Sequence, residues 1–168
     1  MTKKICAFTG HRPQNLPFRF NEQDERCVLL KRRLREEIEK QITENGVTHF
    51  ISGMALGTDI YAAEIILEIK RNNSSITLEA AIPCEEQAVK WREKDRKRYY
   101  TVLEQCDKET LLQKHYSADC MLKRNYYMVD SADVLIAVWD GSPSGTGKTV
   151  RYAQSCGKVI VQIDPNTL

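Results

Sequence analysis

The chain is short of the features that would set it in a special class. It carries almost no net charge, with 25 Lys and Arg against 23 Asp and Glu, a formal +2 at pH 7. That balance excludes a histone-like or polybasic protein whose binding rests on bulk charge. No apolar run approaches the roughly 18 residues of a membrane span, and mean hydropathy is −0.48. No C-x-x-C pair occurs. Cys6, Cys27, Cys84, Cys106, Cys120 and Cys156 are scattered, with no histidine nearby at zinc-ligand spacing, so neither a metal site nor a disulfide scaffold is expected. Several of them fall inside apolar patterns, where free cysteine behaves as a small hydrophobe. Internal repeats and low-complexity segments are absent too. The N-terminus is basic at Lys3 and Lys4 and apolar from Ile5, like a secretory leader. Its apolar stretch of about five residues is shorter than the roughly 7–15 of a leader's core, and it reads as the first strand. These absences leave a cytoplasmic globular chain. At 168 residues, 42% of them hydrophobic, residues 1–168 are expected to form one domain around a real core.

What is present is alternation. Lys4 to Thr9 is a short apolar strand ending at Gly10. A long helix is expected from about Asn21 to Asn45, with Leu30, Leu34, Ile38 and Ile42 four apart and Asn45-Gly46 as its C-terminal cap. Thr48 to Ser52 is the next strand. A helix from Asp59 to Arg71 follows, apolar almost all round and therefore expected against a sheet or at a subunit contact. Ile76 to Ile82, Thr110 to Gln113, Asp133 to Trp139 and Val159 to Ile163 complete the strands. Between them lie a charged helical stretch from Glu85 to Gln105, a helix from Ala118 to Ser131, and one ending at Cys156. The pattern predicts an α/β fold, a Rossmann-like three-layer sandwich with a mostly parallel sheet. Ligands of such sheets bind outside the carboxyl ends of the strands, where strand order reverses.

Three strand ends carry glycine turns. In Thr9-Gly10-His11-Arg12-Pro13, Gly10 permits the turn and Arg12 offers a planar fork of donors for phosphate. His11 is a candidate acid or base, though a lone histidine is more often structural. In Ser52-Gly53-Met54-Ala55-Leu56-Gly57-Thr58-Asp59, glycines four apart precede a helix N-terminus, a natural anion site. Asp59 is placed to cap that helix or to meet a ribose or a metal. The third turn, Gly141 to Thr149, resembles a Walker A loop. However, the pattern G-x-x-x-x-G-K-[ST] needs glycine where Ser142 stands, Gly141 comes one residue early, and Pro143 stiffens the loop. A shorter phosphate turn around Gly145-Thr146-Gly147 is the better reading than NTP hydrolysis. The run Trp91 to Tyr100 mixes Arg92, Arg96 and Arg98 with aromatics, as in single-strand binders. Acids interleave with the bases, which favours a solvated helix face, with Trp91 beside the pocket.

Together and in this order, these blocks resemble the SLOG superfamily, which groups the DNA-processing protein DprA/Smf with the LOG phosphoribohydrolases, and most of all its small bacterial YpsA/YoqJ-like branch. The likeness runs through the first two turns, Arg124-Asn125 with Met128, and Asp133 to Gly147. It implies a Rossmann-like domain that binds a nucleotide or nucleotide-derived ligand, usually as a homo-oligomer, with a dimer favoured. LOG enzymes pair an Arg-Lys helix motif with a glycine turn followed by a glutamate. Here Asn125 replaces the lysine, Val150 stands at the glutamate position with Arg151 behind it, and Thr149 stands where the related deoxyribosyltransferases carry theirs. Loss of a sugar's base needs such a carboxylate, so the resemblance implies a kept phosphate cradle and lost chemistry. Asp59 and Glu64 are the substitute catalytic candidates.

The expected function is therefore binding of a nucleotide or nucleotide-derived ligand, a phosphorylated nucleoside or an ADP-ribose-like molecule, in a sensing or regulatory role, without turnover, with no required cofactor, no metal and no membrane partner. Thr9, Gly10 and Arg12 would form one wall and Gly53, Gly57, Thr58 and Asp59 the second. Gly145, Thr146 and Gly147 would cradle phosphate, and Arg124 would supply charge. The alternatives are a nucleotide N-glycoside hydrolase and a DprA-like single-stranded DNA binder using Arg92, Arg96 and Arg98.

Overall fold

Six short segments form one sheet: β1 (Lys4–Gly10), β2 (Val47–Ser52), β3 (Thr77–Ile82), β4 (Lys108–Leu111), β5 (Val134–Val138) and β6 (Val159–Ile163). The structure is a computed structural model and describes residues 3–168; Met1 and Thr2 of the leader-like N-terminus lie outside the described residues. The strand order is β4-β3-β2-β1-β5-β6, and every pairing is parallel. The sheet is thus wholly parallel, where a mostly parallel one was expected. Five helices connect the strands: α1 (Glu25–Asn45), α2 (Thr58–Lys70), α3 (Glu93–Gln105), α4 (Cys120–Ser131) and α5 (Gly145–Ser155), with a short 3-10 turn at Pro13–Asn15.

Strand side chains alternate between two cores, as the period of two requires. Cys6, Phe8, Phe50, Leu78 and Ile136 face Leu30, Leu34 and Ile38 of α1, Ile66 of α2 and Val102 of α3. Ala7, Ile51, Ala81 and Leu135 face Met128 and Val129 of α4 and Ala153 of α5. This is a Rossmann-like three-layer α/β fold, with α1, α2 and α3 on one side and α4 and α5 on the other. The nearly all-apolar α2 is buried along most of its length between sheet and neighbouring helices, which accounts for its composition. No helix among the described residues is long and apolar enough to cross a membrane.

Two helix starts differ most from the sequence reading. Helix α1 begins at Glu25, four residues late, because Asp24 caps it by accepting from the Arg26 N–H at 2.9 Å while residues 21–24 turn on themselves. Its C-terminus is the expected one, with Gly46 left-handed at φ 69°. The charged stretch is helical only from Glu93. Residues 84–91 form successive turns instead, as the Gln87 N–H donates to the Cys84 carbonyl and the Trp91 N–H to that of Ala88.

The third strand also carries a charge that its apolar neighbours mask. Glu79 is 2% exposed. His49 Nε2 lies 2.8 Å from its Oε1, and Tyr127 and Thr110 donate to its Oε2 at 2.5 and 2.8 Å. Burial pushes this carboxyl up, but the hydrogen bonds from His49, Tyr127 and Thr110 prevail and hold it at about 2 against an ordinary 4.5. A depressed folded-state value stabilises the fold fully above pH 4.5, and that contribution disappears as pH falls towards 2. Calorimetry across this window is expected to show Glu79→Gln lowering the melting temperature at pH 7 and flattening its fall between about pH 4.5 and 2. An unchanged pH profile would contradict the account.

Candidate functional site

Strand order reverses at β1. The chain runs outward from β1 through β2 and β3 to β4, then returns to place β5 on β1's other side. The loops after β1 and β5 therefore diverge and leave a crevice at the carboxyl edge. A cavity of about 440 Å³ lies there. Thr9, Gly10, His11 and Arg12 line one side of it, Ala55 and Asp59 a second. Met121, Leu122, Arg124 and Asn125 of α4 form a third, and Ser144, Gly145, Thr146 and Lys148 bring the N-terminus of α5 to the fourth. A larger hollow of about 580 Å³ lies between α1 and the end of β6, but it is more open and holds none of the glycine turns.

The turn after β1 is clamped from both sides. On one side the Thr58 N–H and Oγ1 donate to the His11 carbonyl at 3.4 and 3.1 Å. A Cβ on Gly10 would lie 2.5 Å from Thr58 Cβ and Cγ2, and one on Gly57, whose φ is +89°, 2.8 Å from the His11 oxygen. Only glycine allows both approaches. On the other side the His11 N–H donates to Val138 at 3.1 Å, and His11 Nε2 meets Asp140 Oδ1 at 3.0 Å. Hydrogen bonds from Ser142, and then from His11, hold the Asp140 carboxyl at about 2. His11 is 2% exposed and works as a tie between strand ends.

Arg124 lies across the floor. It is 2% exposed, donates to the Gly53 and Ala81 carbonyls, and through Nε to Asn125 Oδ1 at 2.9 Å. A Cβ on Gly53 would fall 2.7 Å from its Cζ. Burial pulls this guanidinium's pKa down, and the Asp59 charge opposes the change. Asp59 is pushed up by its own burial and pulled back by Arg124, then by the Ala55 N–H and by Arg12. The floor thus holds two buried, oppositely charged groups that influence each other without direct contact, with Arg12 at its rim. Asn125 extends the chain of bonds, donating to Thr149 Oγ1 at 3.1 Å, while Thr149 donates to the Gly145 carbonyl at 3.0 Å. Asn125, which stands where LOG enzymes carry lysine, is therefore bonded to Thr149, which stands where the deoxyribosyltransferases carry their glutamate.

Of the residues expected from sequence, the structure brings Thr9, Gly10, Arg12, Asp59, Arg124, Gly145 and Thr146 to this cleft. Gly53, Gly57 and Thr58 lie behind its wall as spacers for Arg124 and the first turn. Gly147 is also withdrawn: Gly145 to Gly147 form the first turn of α5, Ser144 caps it by accepting the Gly147 N–H at 3.1 Å, and a Cβ there would lie 3.2 Å from the Trp139 ring. Glu64 points elsewhere, onto Arg98 at 2.5 and 2.9 Å. Trp91 packs edge-on against Tyr99, away from the cleft it was expected to flank. Sequence reasoning missed Lys148, Asn15, Met121 and Leu122. The Lys148 signal was present as the Gly-Lys-Thr of the Walker-like run.

Fold and cleft together define a doubly wound, Rossmann-like protein with a polar, cation-bearing crevice at its switch point. The YpsA family model, described as the YspA SLOG family, matches residues 6–164, and the chain belongs to that family. A UPF0398 protein of Halalkalibacterium halodurans is 29% identical over 84% of this chain and 77% of its own length. One of Bacillus thuringiensis is 28% identical over 93% and 85%. Among solved structures, DNA processing protein A of Streptococcus pneumoniae superposes with a TM-score of 0.64 at 15% identity over 96% of this chain, which spans 50% of that one. The Helicobacter pylori protein of the same name, solved for its single-stranded DNA binding mode, gives 0.64 at 20% identity over 97% of this chain and 66% of its own. These likenesses establish a shared fold.

The clamp generates a stability prediction. Gly10→Ala is expected to cost about 1–3 kcal/mol by overpacking against Thr58, a loss of several degrees in melting temperature. Gly145→Ala, where a Cβ meets nothing within 4 Å, is expected to leave stability nearly unchanged. Equal melting temperatures for the two variants would contradict the clamp.

Proposed function

We propose that the cleft binds a nucleotide or nucleotide-derived ligand of the ADP-ribose kind, and that the protein senses or regulates through this binding without turning the ligand over. The observation that carries the reading is convergence. Arg12 and Lys148, both exposed, and the N-terminus of α5 meet at one crevice. Among the described residues neither cation forms an ion pair. Oriented N–H groups with unpaired cations suit phosphate, and Asp59 at the inner end suits sugar hydroxyls as an acceptor. The reading without turnover is supported by α5, whose sequence Gly145–Ser155 carries no acid. The position facing Asn125 is Thr149, so neither family's glutamate is there to support departure of a base.

Single-stranded DNA binding is the second reading. It is favoured by one surface feature: the Arg92 guanidinium lies 5.1 Å over the exposed ring of Phe20, a cation–aromatic pair of the kind that stacks bases. Against it, Arg98 is engaged by Glu22 and Glu64, and the Arg96 side chain donates to the Trp91 carbonyl at 2.6 Å.

A thermal-shift series with nucleoside monophosphates, ADP-ribose, NAD and a short single strand separates the readings. A ligand at about 100 times its dissociation constant adds about 2.7 kcal/mol, a shift of several degrees. One phosphorylated nucleoside is expected to give that shift. Arg12→Ala and Lys148→Ala are each expected to weaken it about tenfold or more, Arg92→Ala to leave it unchanged, and no free base to appear on incubation. A shift by DNA alone that Arg92→Ala abolishes would establish the second reading. Base release lost in Asp59→Asn would establish a hydrolase.

A further inference from the structure

Sheet edges are usually defended by charge, proline or a bulge, and one edge of this sheet is not. Strand β6, Val159-Ile160-Val161-Gln162-Ile163, contains no charged residue and no proline. It pairs only with β5, and Val159 is 61% exposed. The direction of its main-chain groups can be read from its bonds. The Val159 N–H donates to Asp133, and the Ile163 carbonyl accepts from the Trp139 N–H at 2.9 Å, so these residues turn their amides towards β5. By strand alternation Ile160 and Gln162 turn theirs outward. Immediately outside the strand stand a cation, Lys158, and an anion, Asp164. Neither forms an ion pair among the described residues.

We propose that β6 pairs antiparallel with β6 of a second copy, in the register centred on Val161, joining two six-stranded sheets into one. Three independent features select this occupant and this register. The outward amides of Ile160 fall opposite those of the partner's Gln162, and the reverse, as hydrogen-bonded pairs. Val161 then meets the partner's Val161 at a non-hydrogen-bonded position on the two-fold axis, where side chains approach closest. Lys158 falls opposite the partner's Asp164 at both ends, so the strand's flanks are complementary to themselves. A shift of two residues, the smallest that keeps outward amides opposite each other, loses the charge match and puts Lys158 opposite the partner's Gln162 or beyond the strand. Val159 is covered by the partner's Ile163 on the face shared with α1. Because the strands run in opposite directions, the two clefts open on opposite rims of the joined sheet and neither is blocked.

Sedimentation equilibrium tests this. The wild-type chain is expected to be a dimer. Gln162→Pro removes an outward N–H that β5 does not use, a substitution edge strands tolerate, and it is expected to give a folded monomer. Lys158→Glu sets like charges opposite each other at both ends and is expected to weaken the dimer about tenfold. Combining it with Asp164→Lys is expected to restore wild-type association. The combined variant covers the case in which the proline variant does not fold. A wild-type chain that stays monomeric up to about 100 µM would overturn the proposal. So would a dimer indifferent to Lys158→Glu, or a failure of the combined exchange to restore it.

Discussion

The turn that leaves β1 has to pass through the gap between its two neighbouring strands, and everything at the carboxyl edge depends on how that passage is held. The His11 carbonyl receives both donors of Thr58, and the His11 N–H and ring reach Val138 and Asp140. These contacts span the point where strand order reverses, so they set the width of the crevice. They also require that nothing larger than hydrogen stand at Gly10 and Gly57. The glycines that sequence reasoning assigned to ligand thus divide into two kinds. Some bring backbone to the cleft, and others let the walls touch each other.

Charge is placed with the same economy. The basic run of α3 invites a nucleic-acid reading, yet its central cation is neutralised twice. Arg98 donates to Glu22 at 2.6 and 2.8 Å and to Glu64 at 2.5 and 2.9 Å, with Lys31 completing the group on Glu22. Burial pushes the Glu22 carboxyl up, but the bonds from Arg98 and Lys31 win and hold it at about 2. The cluster fastens residues 18–24 over α2, which is a structural role for a residue that composition alone would give to DNA. Among the described residues Arg12 and Lys148 form no ion pair, and they are the exposed cations at the crevice, above the buried Arg124.

Much of the fold was legible because strand and helix periods are strong signals. Val159–Ile163 is the strand the sequence predicted, and Gly46 caps α1 as Asn45-Gly46 suggested. The errors have local causes. Residues 84–91 are polar enough for a helix but are bent by turns, and the Gln87 side chain reaches the Gly53 carbonyl. Glu79 could not be placed, because only the tertiary approach of His49, Tyr127 and Thr110 explains a carboxylate inside a strand. Cleft-lining residues were legible where a turn's chemistry is local, as at Arg12 and Gly145. They were lost where function depends on which way a side chain points across elements. Glu64 lies about two turns beyond a cleft-lining loop yet faces α3, and Thr58 lies beside Asp59 yet faces Gly10. The Asn125–Thr149 bond joins residues 24 apart and has no sequence signature at all.

The most direct measurement is an amide nitrogen–proton NMR titration of the ¹⁵N-labelled protein with the phosphorylated nucleoside that stabilises it. The account requires perturbations concentrated at Gly10, Arg12, Asp59 and the first turn of α5, with Arg92 and Arg96 unmoved. Perturbations confined to α3 and Phe20, or scattered without a centre at the β1–β5 edge, would contradict it.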